Sequence, residues 1–167
     1  MKEVSMNNEC LIVIDAQEWI LNLPLKPNSS YQIVPAISSR VEMVRAAGKK
    51  IIWIQYRRLD NSDGGSLGKA RIHTRCGYRQ SDQIIEKYGI DTFQQTTLHT
   101  KLQRLGIGKI LLIGLMTSHA IKETAITAAN LGYSVQVDSQ ACAALSLPDH
   151  KLALDQMQAN HNIEILG

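Results

Sequence analysis

Four short stretches of this chain are apolar at nearly every position: Cys10–Ile14, Ile51–Ile54, Ile110–Ile113 and, less completely, Tyr133–Val137. A strand with one face in water alternates polar and apolar residues. Runs without alternation must be buried on both faces, as in a parallel sheet covered by helices. The segments between them have helical spacing. Ile33, Ile37, Val41 and Val44 form one stripe, with Gly48 as a C-terminal stop. Leu98, Leu102 and Leu105 form a second before Gly106, and Ile121, Ala125, Ala128 and Leu131 a third before Gly132. Leu152, Leu154 and Met157 mark a last helix after Pro148, ahead of a final strand around Ile163–Leu166. With a short strand near Ile84–Ile85, the alternation predicts a three-layer α/β sandwich. Its centre is a parallel sheet of about six strands with helices on both faces. At 167 residues the chain is read as one domain, 1–167.

Composition narrows the function. Charged residues are 20% and the net charge is only +3, far from the basic footprint of a nucleic-acid binder. The longest apolar run, Ile110 to Met116, is too short to span a bilayer, and the polar start Met1–Glu9 does not read as a signal peptide. Cys10, Cys76 and Cys142 are an odd number without metal-ligand spacing, which predicts free thiols and a reducing, cytoplasmic location. No nucleic-acid or membrane partner is expected.

Open α/β sheets place their sites at the carboxyl ends of the strands. Asp15 stands there after Leu-Ile-Val-Ile, and Lys87 ends the third strand. Alone, Asp15 reads as a helix cap or turn residue and Lys87 as a solvated lysine. On neighbouring strands they would form a desolvated ion pair able to hold or move a proton. The strand Ile110–Ile113 runs into Gly114 and a tight turn, with a helix starting near Ser118. Such a turn suits a nucleophile with backbone N–H groups beside it, yet no nucleophile stands there. Trp19 and Tyr56 follow the first two strands and either wall a pocket or pack at an interface. His119 is pocket wall or helix-start polar residue; His73, His99, His150 and His161 are scattered.

The loop Asn61–Arg79 is long and Gly-rich, as a lid or an oligomer contact would be. Residues 57–80 carry a net +4, more than the whole chain. That predicts attraction of an anionic substrate or of an acidic patch on a second copy, with Arg71 and Arg75 as the residues to test. Cys76 lies among Arg71, Arg75 and Arg79, which could lower its pKa; the other reading is an incidental loop thiol. Trp19, Leu21, Leu23 and Leu25 would be costly to leave bare on a monomer.

Three ordered motifs carry a resemblance. Asp15-Ala-Gln17 after an apolar strand resembles the first motif of the isochorismatase-like cysteine hydrolases. Lys87-Tyr-Gly-Ile-Asp-Thr-Phe93-Gln-Gln-Thr96-Thr-Leu98 resembles that family's Lys-x-x-x-Ser-Ala-Phe-x-x-Thr-x-Leu, and Gly114-Leu-Met-Thr117-Ser-His119-Ala120-Ile121 its Gly-x-x-Thr-x-x-Cys-Val. Thr124-Ala125, Gly132-Tyr133-x-Val135 and His150 continue the match. The resemblance implies an isochorismatase-like, Rossmann-like fold and hydrolysis of a small amide or imide C–N bond by an Asp–Lys–Cys triad. It further implies Asp15 as general base, Lys87 as orienting cation and a cis peptide between Leu115 and Met116. The N–H groups of Met116 and Ala120 would form the oxyanion hole. Gln17, Trp19, Tyr56 and His119 would contact a small-molecule substrate, and copies of the chain would form a dimer or larger homo-oligomer. No cofactor is implied. No metal is either, because Gln55-Tyr56-Arg57-Arg58 replaces the Asp-x-His pattern of nicotinamidase-like relatives.

The chain departs from the pattern at its centre. Ala120 occupies the cysteine position, and a methyl group can neither attack a carbonyl nor lose a proton. An engineered Cys→Ala change, a natural non-thiol member hydrolysing a vinyl ether by acid catalysis, and a binding-only protein all fit. The intact surroundings favour the first. Asp91-Thr92 in place of Ser-Ala leaves the substrate contacts there open.

Overall fold

The computed structural model describes residues 8–65 and 68–167; the first seven residues of the polar start lie outside them. Six strands form one sheet: β1 (Glu9–Ile14), β2 (Lys50–Tyr56), β3 (Gln83–Lys87), β4 (Lys109–Leu115), β5 (Ser134–Ala143) and β6 (Ile163–Leu166). Every neighbouring pair is parallel, in the order β3-β2-β1-β4-β5-β6. The strand order reverses between β1 and β4, the position where sheets of this kind bind ligands.

The all-apolar runs divide their side chains between two cores, as burial on both faces demands. Ile12, Ile14, Ile52, Ile54, Ile110 and Leu112 pack under α3 (Leu98–Arg104), α4 (Lys122–Asn130) and α5 (Leu147–Gln158). Leu11, Val13, Ile51, Trp53 and Ile113 pack under α2 (Ser30–Ala46) and the loop around Ile72 and Cys76. A single turn of helix, α1 (Glu18–Leu21), follows β1. At about 25 cal/mol per Å² of apolar surface, these two cores dominate the stabilisation.

The helix stripes need correction at their ends. Leu131 and Leu152 are exposed; α5 buries His150, Ala153 and Met157 instead, and begins at Leu147 with Ser146 capping the Asp149 N–H. Strand β5 runs six residues beyond Val137. Its pairing with β4 jumps from Leu112↔Val137 to Gly114↔Cys142. The polar residues Asp138, Ser139 and Gln140 fill that irregular stretch and hide the strand from a pattern search.

The Asn61–Arg79 loop is not a lid over its described part. Ala70, Ile72 and Cys76 are buried, and Ile72 pairs with Gln17 in an antiparallel bridge. Leu21 and Leu25 are likewise buried and Leu23 and Trp19 half-buried, so this chain itself covers much of the first loop's apolar surface. No helix among the described residues is long and apolar enough to cross a membrane.

Candidate active site

The site forms where three strand ends converge. Asp15, directly after β1, adopts a positive φ of 54°, which Asp tolerates better than most residues and which breaks the strand alternation. Its N–H donates to the Ile54 carbonyl and its carbonyl accepts from the Gln17 N–H. Gly114, at φ 120°, passes so close to β1 that a Cβ there would lie 2.1 Å from the Ile14 oxygen. Only glycine allows β4 to approach β1 at this level. The Leu115–Met116 peptide is cis.

Lys87 ends β3, two strands from Asp15, and crosses the end of β2 to reach it. Its Nζ lies 3.1 Å from Asp15 Oδ2 and donates to the Ile90 carbonyl at 2.7 Å. Both side chains are buried, Lys87 at 1% exposure and Asp15 at 7%. Burial raises the Asp15 carboxyl to about 6, against the pull of Lys87 toward the charged form. Asp15 Oδ1 is buried and has no hydrogen-bond partner among the described residues.

Helix begins after β4 where expected, near Ser118, but its first turn, Thr117–Ile121, is π-helical before α4 continues from Lys122. The Met116 carbonyl accepts from both His119 and Ile121 N–H groups at 3.1 Å. Such single π turns recur at functional sites. Thr117, fully buried, has its Oγ1 2.8 Å from His150 Nδ1, which ties the turn to α5; burial lowers the His150 pKa below its ordinary range. Ala120 sits within the turn.

These elements enclose a cavity of about 200 Å³. It brings together Asp15, Lys87, Leu115, Met116, His119 and Ala120 with the aromatic rings of Trp19 and Tyr56; Ile20, Gly89 and Ile90 complete its wall. Gln17 is not among its lining residues, which corrects the substrate-contact expectation. Its Nε2 donates to the Tyr56 and Ala70 carbonyls and its Oε1 accepts from the Tyr56 N–H, so its amide fastens β1 to β2 and the loop. Asp91 and Thr92 also serve the scaffold, joining the loop after β3 to Thr127 and Thr124 of α4. Cys76 is buried and its thiol pushed up to about 12 by that burial, against the expected lowering; Cys10 and Cys142 behave alike.

The sequence marks Arg57 only as a strand-end residue within a basic stretch, and its ion-pairing role was missed. Its guanidinium holds Asp63 at 3.0 Å and Glu86 at 3.1 Å, and its N–H donates to the Lys87 carbonyl. The signal was present in Asp63-Gly64-Gly65, a turn sequence that points a carboxylate back at the strand end. The residues at the end of β2 and just after it do not fit a metal. Gln55 donates its amide to Ala70 and Arg57 is ion-paired. Among the described residues no group of three or more His, Cys, Asp or Glu side chains is arranged to hold an ion.

Ligands enter open parallel sheets where the strand order reverses, and this cavity lies there. The fold is a three-layer α/β domain with its pocket at the carboxyl edge of the sheet. The chain belongs to the isochorismatase family: the isochorismatase domain model matches residues 9–165. It is 25% identical over 171 residues to the uncharacterized isochorismatase family protein YecD of Escherichia coli O157:H7, covering 94% of this chain and 91% of that one. It is 27% identical over 165 residues to an Arabidopsis thaliana protein named as a probable inactive nicotinamidase, covering 86% and 84%. Among solved structures, an isochorismatase family protein from Burkholderia thailandensis superposes with a TM-score of 0.85 at 23% identity, over 95% of this chain and 91% of that one. A nicotinamidase from Staphylococcus aureus does so with 0.80 at 20%, over 97% and 100%.

Proposed function

We propose that the cavity is the amide site of a C–N hydrolase whose nucleophile position is filled by Ala120, so that the chain as it stands binds a small amide or imide without forming an acyl-enzyme. One observation carries this reading. Asp15 and Lys87 form a buried acid–amine pair in the wall shared with Ala120, and Asp15 Oδ1 has no hydrogen-bond partner among the described residues. An unpaired buried oxygen costs about 1–3 kcal/mol, and the N–H of a bound amide recovers it. A cysteine at 120 supplies what is absent. Its thiol proton passes to Asp15, the sulfur attacks the carbonyl carbon, Asp15 gives that proton to the departing amine, and water then hydrolyses the thioester to the acid and the free thiol. Lys87 holds the carboxylate, and the Met116 and Ala120 N–H groups are assigned to the developing oxyanion.

Ala120→Cys tests this. The new thiol should react with iodoacetamide faster than Cys10, Cys76 and Cys142, which burial holds near 12. It should also hydrolyse members of a panel of small amides, and Asp15→Asn in that background should abolish the turnover with the fold intact. Alkylation no faster than at the native thiols would overturn the reading.

A second reading rests on Asp15 alone. A carboxyl titrating at about 6 can act as an acid without a nucleophile, as hydrolysis of a vinyl ether requires. That reading requires the unaltered chain to turn over isochorismate, with a rate that rises as the pH falls through about 6.

A further inference from the structure

A second hollow, of about 240 Å³, adjoins the first; it is lined by Trp19, Tyr56, Arg58, Ser62, Asp63 and Lys69. Trp19 and Tyr56 line both. Their ring centroids are 6.5 Å apart with the planes at 49°, so the pair forms a partition with an inner, mostly apolar side and an outer, charged side. A ligand seated against Ala120 and extending past these rings enters the outer compartment.

The charge there is organised. Asp63, the one carboxylate in the lining, accepts from Arg57 Nε and from the backbone N–H groups of Arg58 and Gly65. These contacts hold it at about 2. Its charge is thus met by Arg57, which lies outside the lining. Arg58 places its guanidinium carbon 6.0 Å from the centre of the Trp19 ring, a cation held over an aromatic face beside the partition. Among the described residues no carboxylate forms a salt bridge with Arg58 or Lys69; Asp60, exposed on the loop, lies within electrostatic range of Arg58. The two cations that line the hollow therefore have their charge available to a ligand. The expected anion residues, Arg71 and Arg75, lie elsewhere. Arg71 is 3.9 Å from Glu18, and Arg75 lines a separate groove beside Tyr31 and Pro35.

We infer that the outer compartment is an anion subsite: the ligand of this site carries its amide against Asp15 and Ala120 and a carboxylate, or a group of like charge, between Arg58 and Lys69. This rests on the amide reading of the inner cavity. It makes the substrate class an amide of a small anionic molecule rather than of a neutral one.

The test uses the unaltered chain, which binds without turnover, and four probes: benzamide, 3-carboxybenzamide, 4-carboxybenzamide and 4-(carboxymethyl)benzamide. Quenching of Trp19 fluorescence reports binding, since the other tryptophan, Trp53, is fully buried. At least one carboxylated probe should bind about tenfold or more tighter than benzamide at low salt, with the advantage shrinking as salt is added. Arg58→Gln and Lys69→Gln should each bring the ratio of the two Kd values toward one, whereas Arg71→Gln should leave that ratio as it is. Benzamide binding as well as or better than every carboxylated probe would overturn the anion subsite and leave the amide reading standing. A ratio insensitive to Arg58→Gln and Lys69→Gln would do the same. Binding of none of the four probes would overturn the amide reading, and the subsite with it.

Discussion

Asp15 meets opposing demands: burial disfavours its charge and Lys87 favours it, and burial prevails. In the unfolded chain the carboxyl titrates near 3.8, in the folded chain at about 6. The folded state holds this proton more tightly, so the group supports folding fully below about pH 4 and loses that support as the pH rises through about 6. A gap of about two pH units is worth roughly 3 kcal/mol. Denaturation of the unaltered chain and of Asp15→Asn from pH 4 to 7 should show the former losing about that much relative to the variant, chiefly between pH 4 and 6. A flat difference would mean that Lys87 fully offsets the cost of burying the charge.

At the scale of elements, the π-helical turn that carries Ala120 is fixed by contacts it does not itself contain. The Thr117–His150 hydrogen bond joins it to α5, and Gly114 lets β4 meet β1 just before it. Thr117→Val keeps the volume and removes the partner of a buried ring nitrogen, so it should cost about 1–3 kcal/mol in urea denaturation. A loss below about 0.5 kcal/mol would show that the turn is held by packing alone.

Across the whole molecule, the Asp15–Lys87 pair ties the end of β1 to the edge strand β3 over the intervening β2. Lys87→Met should therefore cost about 3–5 kcal/mol at pH 7, because it leaves a buried carboxylate without its partner. The loss should ease as the pH falls and Asp15 takes up a proton. Replacing both groups, Asp15→Asn with Lys87→Met, should recover much of the stability, since no buried charge is left unpaired and Asn tolerates the positive φ at this position. A double variant no more stable than Lys87→Met would show that the pair sets the strand geometry itself.

The parallel sheet, its helical layers, the placing of Asp15 and Lys87 at strand ends and that of Ala120 in the helical turn after β4 were legible in the sequence. Runs such as Leu11–Ile14 and Ile110–Ile113 have no polar alternation, and burial on both faces leaves such strands few alternatives. Strand β5 was cut short in that reading because Asp138, Ser139 and Gln140 answer to an irregular register with β4, a relation between strands rather than a local pattern. Gln17, Arg57 and Arg58 show the same division. As residue types each suits a binding role, but hydrogen bonds to the Tyr56 backbone make Gln17 a fastener, and Asp63 and Glu86 occupy Arg57. Arg58 alone keeps its charge beside the Trp19 ring. Local sequence determines where a strand ends and which chemistry stands there. Which charges remain available to a ligand is decided by partners distant in the chain, and only the tertiary structure brings those together.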